Sequence, residues 1–201
     1  ALGTASVQKF TLRSGGRLID LHTPKVMGII NLTPDSFYQS ASRYNELPST
    51  NQLLKEAEKH LLEGAYFLDL GGYSSRPGAQ NVSEKEESER VLPAVKALAK
   101  EFPETFISVD TFRSEIAKKS IGEGAHLIND ISAGKLDDTM LNTVADLHAP
   151  YIMMHMKGMP GNMMKNNKYN NLIKDILYYF SMKIEAARYA KVNDIIVDPG
   201  F

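Results

Sequence analysis

Val26-Met27-Gly28-Ile29-Ile30-Asn31-Leu32-Thr33-Pro34-Asp35-Ser36-Phe37 begins as a short apolar run and closes that run on a polar side chain, Asn31. The run is apolar without alternation, as expected of a strand buried on both faces of a parallel sheet. Runs of the same kind follow at Tyr66 to Leu70, Phe106 to Asp110, His126 to Asn129, Tyr151 to His155 and Ile195 to Asp198. Helix-like segments separate them, and this alternation makes βα units with right-handed crossovers. Such units build either an open doubly wound sheet or a closed barrel, and periodicity does not separate the two. The polar residues do: Asn31, Asp69, Asp110, Asn129 with Asp130, His155 and Asp198 stand at or beside the C-terminal ends of their runs. In a barrel they converge on the rim where barrel enzymes build their sites, whereas an open sheet spreads them along a line. The expected fold is an α/β barrel of about six strand–helix units.

Working outward, Phe10 to Leu12 and Arg17 to Leu21 read as a hairpin around Ser14-Gly15-Gly16. Leu53, Leu54, Ala57 and Leu61 fall at helical spacing, and Gly64 marks the stop. Ser83 with Glu86 makes a capping box ahead of the apolar face of Val91, Leu92, Val95 and Leu98, and Pro93 is expected to kink that helix or mark its start. Further helices are expected over about 113–121, 138–147 and 172–190. No linker divides the chain, so residues 1–201 read as one domain.

A net charge of -1 gives no basic footprint for nucleic acid. No apolar stretch reaches the ~18 to 20 residues of a membrane span. The absence of cysteine removes thiolate metal sites and fits the cytoplasm.

Taken singly, each strand-end Asx reads equally well as the cap of the turn that follows it. Their recurrence at nearly every run is what points to a site. Asp69, inside its run, is set aside as a buried acid satisfied by backbone donors. The loop Asn31 to Phe37 suits an anion or a closing lid as well as an ordinary Asx-Pro turn. Gly71-Gly72-Tyr73-Ser74-Ser75-Arg76-Pro77-Gly78-Ala79 combines permissive glycines, hydroxyl donors and an arginine fork that fits phosphate or carboxylate. Met153, Met154, Met156 and Met159 form a polarizable cluster suited to a flat heteroaromatic ring or to plain core filling. His155 reads as a core histidine or cap rather than a metal ligand, with no second histidine at ligand spacing.

The first of these stretches, Met27 to Phe37, resembles the family signature of dihydropteroate synthases, and Ser75-Arg76-Pro77-Gly78-Ala79 resembles the second. Asp110-Thr111-Phe112-Arg113, Ile128-Asn129-Asp130-Ile131-Ser132, Met154-His155-Met156-Lys157-Gly158 and Val197-Asp198-Pro199-Gly200-Phe201 match further family segments, in family order. The resemblance implies a (β/α)8 TIM barrel that joins 6-hydroxymethyl-7,8-dihydropterin diphosphate to p-aminobenzoate, with magnesium (Mg2+) present, and that sulfonamides inhibit. It further implies that Asp110, Asn129, Ile131, Met153 and Asp198 line the pterin pocket. Asn31 would hold the diphosphate or its magnesium. Thr33, Pro34, Asp35, Ser36 and Phe37 would ride the first loop, and Ser75, Arg76 and Pro77 the second, on the p-aminobenzoate and diphosphate side. Asp110, Asn31 and Arg76 are the expected catalytic residues.

Two departures stand out: Tyr73 where many members carry Glu, with Ser75 where Thr is common, and the end at Phe201. The resemblance implies two further strand–helix units and the assembly of the full-length protein as a homodimer, so the barrel is expected to be C-terminally incomplete. A corrinoid methyltransferase-type barrel and a non-catalytic pterin-binding paralogue are the alternatives, the first lacking both signature loops.

Overall fold

Gly15 and Gly16 take positive φ, 55° and 77°, and turn β1 (Thr11–Ser14) onto β2 (Arg17–Asp20) in a two-residue hairpin. The computed structural model describes residues 10–33, 48–73, 82–158 and 169–200. After the hairpin come β3 (Val26–Asn31), α1 (Thr50–Leu62), β4 (Ala65–Gly71), α2 (Glu84–Glu101), β5 (Phe106–Asp110), α3 (Ser114–Gly122) and β6 (Leu127–Asp130). The described order closes with α4 (Met140–Asp146), β7 (Tyr151–Met154), α5 (Leu172–Tyr189) and β8 (Ile195–Asp198). Strands β3 to β8 form one parallel sheet in sequence order, the topology expected of consecutive βα units. Its end strands, β3 and β8, do not pair with each other among the described residues.

Strand parity divides the interior into two layers. Ile30, Leu68, Leu70, Ile107, Val109, Ile128, Tyr151 and Met153 face the helices and meet Leu53, Val91, Val95, Leu98, Ile116 and Val144. Each such side chain contributes about 1.5–3 kcal/mol when fully buried. On the other face, Phe67, Phe106, Leu127 and Ile152, flanked by Met27 and Ile196, join Leu12 and Ile19 of the hairpin in a second cluster. That cluster draws one residue from every strand of the parallel sheet onto a single hairpin, the arrangement of a sheet curled around a lumen with its N-terminal end plugged. Ser14 donates to the carbonyl of His126 (2.6 Å), and the Arg17 guanidinium lies 4.0 Å from the Phe106 ring centroid, which fixes the plug.

Local sequence explains where the helices start. Ser83 and Glu86 make the expected reciprocal cap, and Ser49 with Gln52 makes another at α1 that patterning had not singled out. Such caps contribute about 1 kcal/mol each. Helix α2 runs through Pro93, so the proline does not mark its start; Ser83 does. Strand β6 lies one residue later than expected; His126, just before it, donates its backbone N–H to the Ile107 carbonyl (2.7 Å) while its ring Nδ1 accepts from the Ile107 N–H at 3.2 Å. Among the described residues no helix is long and apolar enough to cross a membrane.

Candidate active site

One layer of the sheet carries the chemistry. Asn31 pairs with Gly71, Gly71 with Asp110, and Asp110 with Asn129, all at the C-terminal ends of their strands. By parity these residues share the lumen face with Phe67, Phe106 and Leu127 below them. Gly71 leaves the middle of the layer open. A Cβ placed there would stand 3.6 Å from Asn31 Oδ1 and 3.7 Å from Asp110 Oδ2. Two oxygens on separate strands therefore face a common gap. One step deeper on the same face lies Asp69, only 5% exposed, whose Oδ2 accepts from the Asn129 amide nitrogen at 2.9 Å. Its Oδ1 has no hydrogen-bond partner among the described residues, nor has the hydroxyl of Ser108 at the paired position on β5.

The layer is strongly acidic. Burial holds the Asp110 carboxyl well above its ordinary range, and the charges of Asp69, Asp130 and Glu87 push it further the same way. Burial also raises Asp69, against the pull of the Asn129 amide that donates to it. Glu87, fully buried on α2, accepts from the Thr111 hydroxyl (2.5 Å) and pairs with the Arg113 guanidinium. Arg113 also donates to the carbonyl of Val82 at 2.7 Å. These bonds anchor the backbone that follows Asp110 to a rigid helix. Gly72 permits that close approach, since a Cβ there would lie 2.6 Å from Val91 Cγ2 and 3.2 Å from Glu87 Cγ. Tyr73 packs its ring edge-on against Phe112, 5.1 Å between centroids, beside Arg113.

The family model of pterin binding enzymes matches residues 27–201, which contain all of the parallel sheet but Val26 and the whole polar layer at its C-terminal end. The chain belongs to that family. It is 40% identical over 177 residues to a dihydropteroate synthase of Synechocystis sp., covering 87% of this chain and 60% of that protein. To the dihydropteroate synthase of Escherichia coli K12 it is 39% identical over 188 residues, covering 92% of this chain and 64% of that protein. The chain thus spans less than two thirds of these relatives. Among solved structures, a Yersinia pestis dihydropteroate synthase with a sulfonamide drug complex superposes with a TM-score of 0.85 at 40% identity, covering 96% of this chain and 68% of that one. A Xanthomonas albilineans dihydropteroate synthase with 4-aminobenzoic acid gives 0.82 at 33% identity, covering 96% and 67%. The fold is accordingly that of a TIM barrel, represented here by six consecutive strands.

Within this pterin-binding barrel, Asn31, Asp110 and Asn129 come together in one layer. Ile131 is half-buried just past β6, and Thr33 is buried just past β3. Asp198 ends β8, where its Oδ1 accepts from the Gly200 N–H at 2.8 Å, so one oxygen serves the turn. Met153 is a correction: it is fully buried in the helix-facing core with Tyr151, and a strand's period of two puts it on the wrong side to touch a ligand in the lumen. Its neighbour Met154 has the lumen parity of Ile152. Asp69 is a second correction, since it is held by the Asn129 side chain, not by backbone donors, and belongs to the acidic layer. Counting by twos from Gly71 would have found it. Asp130 instead faces the helices and accepts from Ser132 N and Oγ (2.7 Å each), Gly134 N (2.8 Å) and Tyr151 OH (2.6 Å), a structural role. His155 packs edge-on against Tyr179, 4.8 Å between centroids, in an aromatic cluster. Pro34, Asp35, Ser36, Phe37, Ser75, Arg76 and Pro77 lie outside the described residues.

Proposed function

We propose that this chain forms the pterin-binding part of a dihydropteroate synthase, the whole protein joining 6-hydroxymethyl-7,8-dihydropterin diphosphate to p-aminobenzoate and releasing diphosphate. The polar layer of Asn31, Asp110 and Asn129 around the gap at Gly71 is the observation that carries this reading. In the reaction the methylene C–O bond breaks with its electron pair leaving on diphosphate. The arylamine nitrogen then forms the new C–N bond and gives up a proton. As the C–O bond opens, positive charge spreads over the pterin. An Asp110 carboxylate, destabilised in the free protein by burial and by three neighbouring acids, gains most from a cation at that moment, which is stabilisation specific to the transition state. Asp198, with Oδ2 outside its turn bond, accepts ring N–H donors. Met154 takes the ring-packing role first assigned to Met153. Arg76 and Ser75 complete the second-substrate side in this reading, and sulfonamides compete there.

The residues present fit magnesium. Asn31 Oδ1 and Asp110 Oδ2 are hard oxygen donors facing one gap, and among the described residues no cluster of three or more acidic, histidine or cysteine side chains makes a dedicated cage. This suits a cation carried mainly by substrate oxygens and water, with Asn31 as its protein ligand. When bound, it would neutralise charge on the departing diphosphate. The reading includes a homodimer as the assembled full-length form, with a cytoplasmic location that the cysteine-free composition supports.

Calorimetric titration with 6-hydroxymethylpterin diphosphate and magnesium, with Asp198→Asn beside the native protein, tests the pocket; diphosphate release on adding p-aminobenzoate tests the reaction. Saturable binding that Asp198→Asn abolishes supports the reading. A cooperatively melting protein that binds no pterin overturns it.

A further inference from the structure

Asn129 is one of the few side chains in the lumen whose two ends differ chemically, one an acceptor and the other a donor. Which end meets a ligand is decided by what holds the other. Its nitrogen lies 2.9 Å from Asp69 Oδ2, a contact that reaches from β6 to β4 across the face of β5. An ionised carboxylate has acceptors only, so it can hold the amide by its NH2 and would repel the carbonyl oxygen. Asp69 is also free for this task. Among the described residues neither the hydroxyl of Ser108, its partner across the ladder, nor the second oxygen of Asp69 has a hydrogen-bond partner. A buried carboxylate left half-satisfied is costly to keep, and such groups persist where they serve a site. The cost falls on a residue 5% exposed at the floor of the lumen.

We propose that Asp69 is a positioning residue that locks the Asn129 amide with its carbonyl oxygen toward the lumen, so that this point of the pocket accepts an N–H from the bound ring and refuses a ring acceptor. Asp69 touches no reacting atom; it acts through Asn129. The inference rests on the pterin-pocket reading above and supplies its selectivity: rings that present a donor at this point are taken, and those that present a bare ring nitrogen are not.

The test uses a polarity swap. Asp69→Leu removes the anchor, and 6-hydroxymethylpterin binding is expected to weaken about tenfold, the scale of one oriented hydrogen bond to a charged group. Asn129→Asp alone places two carboxylates together and weakens binding too. The double variant Asp69→Asn with Asn129→Asp restores an amide–carboxylate bond with an acceptor still facing the lumen, and is expected to return to within about threefold of the native protein. In steady-state assays the single variants raise KM more than they lower kcat. Side-chain amide resonances of Asn129, identified by their loss in Asn129→Asp, should move in Asp69→Asn even without ligand.

A folded Asp69→Leu protein that binds natively, a swap no better than Asn129→Asp alone, or unmoved Asn129 resonances would each overturn the inference. Absence of pterin binding by the native protein, with the resonance shift intact, would instead sink the pterin reading and leave the pairing of Asp69 with Asn129 established.

Discussion

Gly71 and Gly72 are adjacent in the chain, yet substituting alanine at each should have opposite consequences. At Gly71 the new methyl would meet Asn31 Oδ1 at 3.6 Å and Asp110 Oδ2 at 3.7 Å, ordinary contacts, and φ is not in the left-handed region. Replacing glycine inside a strand also removes an entropic penalty of about 0.5–1 kcal/mol. Gly71→Ala should therefore melt no lower than the native protein. The methyl would nonetheless fill the gap between the two oxygens, and pterin diphosphate affinity should fall at least about tenfold, or 1.4 kcal/mol. At Gly72 the methyl would come within 2.6 Å of Val91 Cγ2 on a fully buried side chain, and something must shift. Overpacking of this kind costs about 1–3 kcal/mol. For a chain of this length each kcal/mol lowers Tm by about 2–4 °C, so a fall of roughly 2–12 °C is expected. Differential scanning calorimetry and ligand titration on both variants separate the two effects. A Gly72→Ala protein as stable as the native one, or a Gly71→Ala protein with native affinity, would refute the placement of the gap and of α2.

The neighbouring methionines make a second pair. Met153→Ala should cost about 2–5 kcal/mol in urea unfolding, whereas Met154→Ala should chiefly weaken pterin binding, and the reverse result would restore the original assignment. Removing the carboxylate in Glu87→Ala strands the Arg113 charge beside a buried site, and a loss of about 3–5 kcal/mol is expected by urea denaturation. Burial and the neighbouring Arg17 charge pull His126 down to about 4. The unfolded chain binds this proton more readily than the folded one, so stability should fall as pH drops from about 6.5 through about 4. Urea midpoints across that window should fall less in His126→Gln than in the native protein; parallel curves would show that His126 does not set the slope.

Much of the barrel can be read from the runs themselves, because strands buried on both faces leave long apolar signatures, and the residues closing them are polar for a reason of geometry. Asn31, Asp110 and Asn129 were found that way. What failed was parity. A continuous apolar run hides its period of two, so nothing in Tyr151-Ile152-Met153-Met154 marks which methionine faces the lumen until the register with neighbouring strands is known. The same blindness put Asp69 outside the site, since reading only the last polar residue of a run skips one that lies a full pleat earlier. Glu87 escaped for a different reason. On an acidic first turn of α2 it looks like its neighbours Glu84 and Glu86, and only the approach of Arg113, 26 residues later, distinguishes it.

The hairpin that plugs the N-terminal end of the lumen bears on the order of folding. Its own turn is local and forms by itself, but its sockets are distant in sequence: Arg17 reaches Glu104 across 87 residues, Ser14 reaches His126 across 112, and the Arg13 N–H reaches Asp194 across 181. None of those partners is in place until the later strands have assembled. A hairpin synthesised before every strand of the sheet is therefore among the last elements to dock, and the barrel floor closes behind the sheet instead of templating it. Until then Leu12 and Ile19 leave the lumen's phenylalanines uncovered, which makes the interval before docking the period of greatest exposure to aggregation.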